Sequence, residues 1–140
     1  MISGKPVKQG KYRATEDDEQ IALFQWAELA QRRYPELALL HHIPNGGQRH
    51  PATAARLKKM GVKRGVPDIC LPAARGGYAG LYIELKVGRN TPSRAQKYWL
   101  DELTKNGYRA VVCRGAEEAR DEILQYIGVP SKRGREVRVQ

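Results

Sequence analysis

An α/β domain with a central mixed β-sheet of about four strands flanked by helices is the fold class predicted here. Three observations predict it. Amphipathic helical stretches alternate with short apolar runs in the order α-β-α-β-β-α-β-α. No internal repeat or coiled-coil heptad interrupts that order. The 140 residues, 41% apolar and 7% aromatic, suffice for one modest core and leave no room for a second domain.

The first helix is expected from Glu16 to about Arg33. Thr15 caps it, acidic residues crowd its first turn, and Leu23, Trp26 and Ala30 recur at three-to-four spacing, with Glu16 and Glu19 on that face. Tyr34-Pro35 ends it, because a residue before proline is pushed out of the helical region. Leu37 to Ile43 is predicted as a short strand before the turn Pro44-Asn45-Gly46-Gly47. Pro51 opens a second helix, which runs to Met60 and stops at Gly61. Asp68 to Leu71 and Gly80 to Val87 are strand-like runs joined through Gly76-Gly77, and they read as a hairpin-like pair. Thr91-Pro92 opens a third helix through Gln96, Trp99, Leu100 and Leu103 to an Asn106-Gly107 stop. Tyr108 to Arg114 reads as a strand, and Ala116 to Ile127 as a last helix ended by Gly128. Residues 16–129 thus form the domain, and residues 1–15 and 130–140 read as flexible basic tails.

Lys and Arg number 25 against 15 Asp and Glu, a formal charge of +10, so the expected partner is a polyanion, nucleic acid ahead of an anionic membrane. The charge is concentrated. Between Arg49 and Lys97 lie eleven basic side chains and two acidic ones, Asp68 and Glu84. No apolar stretch approaches the ~20 residues of a membrane span, and no secretory signal is evident, so a cytoplasmic location is expected. Cys70 and Cys113 sit in apolar strand-like runs and are expected to be buried, reduced thiols.

Along Tyr82 to Val87 side chains alternate, so Glu84 and Lys86 share one face and Ile83, Leu85 and Val87 the other. A carboxylate and an ammonium on a central strand are costly to bury, and Asp68, starting the neighbouring strand, adds a second carboxylate. Two oxygen-donor carboxylates suit a hard ion such as Mg2+. A metal between Asp68 and Glu84 would stabilise charge on a scissile phosphate, and Lys86 would orient or help deprotonate the attacking water. The ordinary alternative for Glu84 and Lys86 is an ion pair on an exposed sheet edge.

Pro67-Asp68, a fifteen-residue spacer, and Glu84-Leu85-Lys86 together resemble the PD-(D/E)xK nuclease superfamily, and more narrowly its VRR-NUC family of virus-type replication and repair nucleases. The resemblance covers about residues 16–128, through Glu19-Gln20, Ile43 to Gly47, Gly61 to Asp68, Gly80 to Lys86, and Ser93 through Gln96 to Trp99. It implies a restriction-endonuclease-like core, dependence on Mg2+ or Mn2+, and homodimers acting on branched DNA such as four-way (Holliday) junctions in bacteria or phage-infected cells. It implies Asp68 and Glu84 as metal ligands, with the Leu85 carbonyl completing the sphere. Lys86 would serve the water, Gln96 would support the site, and a first-helix acid would join it, Glu19 in preference to Glu16.

A basic rim is expected to position DNA without reading its sequence. It comprises Arg56, Lys58, Lys59, Lys63 and Arg64 around the second helix, with Arg89, Arg94 and Lys97 beyond the strand. Asn45 and Arg49 by the Gly-Gly turn are further phosphate contacts. His41, His42, Asn45 and His50 do not make a ββα-metal nuclease, since no Cys-x-x-Cys pair supports a zinc site. Trp26 and Trp99 are assigned to the core rather than to base stacking. The function predicted is a Mg2+-dependent, structure-selective endonuclease acting as a homodimer on branched DNA, with no membrane partner and no small-molecule cofactor. The alternatives are a nuclease for flap, nicked or duplex DNA, and a DNA-binding module that does not cut.

Overall fold

A computed structural model describes residues 14–44 and 50–130. Its elements are α1 (Glu16–Ala30), a 3-10 turn (Pro35–Leu39), β1 (His41–His42), α2 (Pro51–Lys59), β2 (Ile69–Leu71), β3 (Leu81–Lys86), α3 (Arg94–Lys105), β4 (Arg109–Arg114) and α4 (Gly115–Tyr126). The strands form one mixed sheet in the order β1-β2-β3-β4. Strand β2 is antiparallel to both of its neighbours, β1 and β3, and β4 lies parallel to β3 after the α3 crossover.

Alternation along β3 divides the molecule. Leu81, Ile83 and Leu85 join Leu23 and Ala27 of α1 and Ala119 and Ile123 of α4 in one buried apolar cluster. Tyr82, Glu84 and Lys86 face the opposite side, where Tyr82 meets Tyr108 edge-on at 5.3 Å and the side chain of α3 residue Gln96 reaches Glu84. Helices α1 and α4 therefore close the core face, and α3 covers the polar face. Cys70 and Cys113 are buried free thiols. Burial raises both thiol pKa values, that of Cys113 to about 12, so neither is poised as a nucleophile. Trp26 packs against the apolar cluster, whereas Trp99 is half-buried on α3. No helix among the described residues is long and apolar enough to cross a membrane.

The structure departs from expectation in three places. Helix α1 ends at Ala30 rather than Arg33, because the following amides turn to three-residue bonds, Arg33 N–H donating to the Ala30 carbonyl at 3.0 Å. The run expected as a strand from Leu37 to Ile43 is largely the 3-10 turn, and only His41–His42 pair in the sheet. Pro35 starts that turn, and the buried residues are Leu37 and Leu40, three apart, a helical spacing. Helix α3 begins after Ser93 and not at Thr91, because Ser93 and Gln96 close a reciprocal capping box. The Pro44 to Gly47 turn extends into residues outside those described.

Candidate active site

The antiparallel register pairs Ile69 with Ile83. One step further it sets Asp68 opposite Glu84, and residues directly opposite point to the same face. Asp68 is anchored at both ends. Its carboxylate Oδ2 accepts the Leu85 backbone N–H at 2.8 Å. Its carbonyl accepts the Ile43 N–H at 2.7 Å and lies 2.7 Å from Nδ1 of His42.

Glu84 is 1% exposed, in the middle of the sheet. Its Oε1 accepts a hydrogen bond from Gln96 Nε2 at 2.9 Å and lies 3.5 Å from the Lys86 ammonium. Its Oε2 is buried and receives no hydrogen bond from any donor group of the protein, and the facing Asp68 carboxylate can bond to Glu84 only through a shared proton. Burial, and then the neighbouring Asp68 charge, push the Glu84 carboxyl up to about 8, overriding the opposite pull of Lys86. Lys86, 9% exposed, is also inside the protein, so the ion pair is not the exposed-edge pair of the ordinary alternative.

That arrangement fits a divalent cation. One buried carboxylate oxygen lacks any donor while a second carboxylate faces it, and the shortage is of positive charge. Oxygen donors of this kind match a hard ion such as Mg2+ or Mn2+. Leu85, whose side chain lies in the core, supplies the Asp68 anchor through its N–H and leaves its carbonyl as the third candidate oxygen.

Glu19 is not brought to this pair. Its Oε2 accepts the Ala116 N–H at 2.7 Å and so caps the N-terminus of α4, while Gly115, at φ +82°, lets the carboxylate approach closely. Among the described residues no three His, Cys, Asp or Glu gather as a metal site. Glu16 and Glu19 instead line a cleft of about 890 Å³ with the segment after β3, Val87 to Asn90, and with Arg114. Arg114 donates from Nη1 to the Gly88 and Asn90 carbonyls at 3.0 and 2.6 Å, which pins the segment bearing Arg89.

Lys58, Lys59, Lys63, Arg64, Arg89 and Arg94 are all exposed, as a phosphate-facing rim requires. Helix α2 buries none of its residues and carries Arg56, Lys58 and Lys59 in its last turn. Asn45 and Arg49 lie outside the described residues.

Arg114 and the Ser93 hydroxyl escaped the sequence reading. The Ser93-Arg94-Ala95-Gln96 pattern is a capping-box signature and could have revealed Ser93. No local signal marks Arg114, whose carbonyl partners lie 24 and 26 residues away.

The family model for the VRR-NUC domain matches residues 14–117. A solved structure described as a VRR_NUC domain protein is 36% identical, with a TM-score of 0.71 over 86% of this chain and 93% of that one. A comparison with curated proteins found no match. With the family pattern matched over most of its length and the Asp68, Glu84 and Lys86 set assembled on one sheet face, this chain belongs to the VRR-NUC family and carries a nuclease domain of the PD-(D/E)xK type.

Proposed function

We propose that the protein is a Mg2+-dependent endonuclease that hydrolyses phosphodiester bonds in branched DNA, four-way junctions foremost, working as a homodimer, with Mn2+ able to replace Mg2+. The observation that carries the catalytic part is the buried Glu84 Oε2, which lacks a donor group beside a second carboxylate. A divalent cation held by Asp68, Glu84 and the Leu85 carbonyl would supply electrostatic stabilisation of the scissile phosphate and acidify the attacking water.

The protein's own groups do the rest. Asp68, tied to the Leu85 N–H, presents its remaining lone pairs from a fixed position. Gln96 holds Glu84 Oε1 and leaves Oε2 free to ligate. Lys86, held 3.5 Å from Glu84, donates hydrogen bonds that orient the attacking water. The exposed rim of Lys58, Lys59, Lys63, Arg64, Arg89 and Arg94 holds the DNA backbone. The dimer and the branched substrate rest on the family resemblance, together with the need for paired incisions by a chain that carries one site.

The test is cleavage of matched four-way junction, flap, nicked and linear duplex DNA with Mg2+, Mn2+ or EDTA, using wild type beside Glu84→Ala. The expected result is paired cuts at the junction that require the metal and vanish in the variant. Tight binding without cutting would leave a DNA-binding module, and preferential cutting of flaps, nicks or duplex would reassign the substrate while keeping the chemistry.

A further inference from the structure

The first turn of α3 joins the helix cap to the candidate metal site. Ser93 Oγ accepts the Gln96 backbone N–H at 3.2 Å, and the Ser93 backbone N–H donates to Gln96 Oε1 at 2.8 Å. A backbone N–H can only donate, so the oxygen end of the Gln96 amide must face Ser93. Its NH2 end is thereby directed at Glu84 Oε1, 2.9 Å away. Were the amide reversed, two oxygens would face each other at Glu84 and two donors at Ser93.

The same turn touches the segment that carries the other carboxylate. Gly65 has φ +94° and lies three residues before Asp68. A Cβ there would come within 2.6 Å of the Ala95 backbone carbonyl carbon and oxygen, a distance at which one segment must move. Both carboxylates are thus referenced to one helical turn, Glu84 through Gln96 and Asp68 through Gly65 against Ala95.

We propose that the first turn of α3 sets how Glu84 is presented within the Asp68–Glu84 pair, with Ser93 as the positioning residue. The Ser93 backbone N–H fixes the direction of the Gln96 amide so that Glu84 offers Oε2, and the Ser93 hydroxyl, by holding the Gln96 backbone N–H, keeps that donor in register with the amide. The inference rests on the nuclease reading of the pair.

The experiment measures Mn2+ affinity by calorimetry well below the melting temperature, kcat and KM for DNA cleavage, and hydrogen exchange of the Gln96 side-chain NH2 by NMR in the metal-free protein. The variants are Ser93→Ala, Ser93→Gly and Ser93→Thr, with Glu84→Ala as control. Glycine removes the hydroxyl yet remains a fair helix cap, so it keeps the test usable if alanine impairs folding. Ser93→Ala and Ser93→Gly open the cap that holds the orienting N–H in register, and should weaken Mn2+ binding about 10-fold, as loss of an outer-shell support does. They should lower kcat with KM unchanged and speed Gln96 amide exchange, while threonine restores all three. Variants that melt lower but keep wild-type Mn2+ affinity, kcat and amide exchange would overturn the inference and leave the cap a structural feature. Glu84→Ala that binds Mn2+ as wild type does would sink the nuclease reading itself. In that case unchanged Gln96 exchange in the Ser93 variants would overturn the positioning role separately.

Discussion

The two faces of β3 are buried alike for opposite reasons. On one, Leu81, Ile83 and Leu85 are each 1% exposed and pack against α1 and α4. Each such side chain stabilises the fold by about 1.5–3 kcal/mol. On the other, Glu84 and Lys86 are 1% and 9% exposed, and ions taken out of water cost several kcal/mol before their partners offset any of it. Burial by itself therefore does not separate core from site. The lack of a donor does, since the first face buries only apolar side chains while Glu84 Oε2 on the second is buried with no donor group of the protein to meet it.

The two faces of β3 differ most at Glu84. Glu84→Ala and Asp68→Ala should each reduce cleavage at least about a thousandfold, roughly 4 kcal/mol of transition-state stabilisation, while DNA binding persists through the basic rim. Lys86→Ala should lose about a hundredfold. Steady-state cleavage beside a gel-shift titration reads both effects, and a Lys86→Ala enzyme that cuts at the wild-type rate would remove Lys86 from the chemistry. The mirror-image change is Ile83→Ala on the apolar face. It should destabilise the fold by about 3 kcal/mol in denaturant titration and leave kcat of the folded enzyme near normal.

Glu84 also sets a pH dependence of stability. The Glu84 carboxyl is raised from 4.5 to about 8, so between those pH values the metal-free folded state holds a proton that the unfolded chain has released. The unfolded state binds fewer protons there, so stability is greatest below about pH 4.5 as far as this group is concerned and declines as pH rises toward 8. Thermal melts of metal-free protein should therefore fall over that window, and Glu84→Gln should flatten the slope. Because a cation displaces that proton, its affinity should rise over the same range. Smallest per residue is the rim. Replacing Lys58, Lys59 and Lys63 with Ala should weaken binding to all sequences alike and reduce the salt-dependence slope by up to about 0.9 for each lost phosphate contact. An unchanged slope would take α2 off the DNA face.

The polar and apolar halves of the molecule also differed in how legible they were. The alternation from Tyr82 to Val87 was enough to place Glu84 and Lys86 on one face, whereas the facing of Asp68 depends on the pairing of Ile69 with Ile83, since a one-residue slip would turn it to the other side. The thiols and most helix limits were equally local, marked by glycines such as Gly107 and Gly128 at positive φ. What escaped was tertiary or of mixed period. Leu37 and Leu40 are apolar in a stretch too short to separate a strand from a 3-10 turn. Glu19 shares the α1 stripe with Leu23 and Ala27, yet only the packing of α4 reveals that it meets the Ala116 N–H. Gly65 reads as a loop glycine until Ala95 is placed against it.

The repelling Asp68–Glu84 pair costs the metal-free fold stability that a bound cation would return. Thermal denaturation of wild type and Glu84→Gln near pH 8, with and without Mg2+, tests this most directly. Metal-free Glu84→Gln should melt above wild type, and Mg2+ at about 100 times its Kd should stabilise wild type by about 2.7 kcal/mol but the variant little. A variant that melts below wild type, or gains as much from Mg2+, would contradict it.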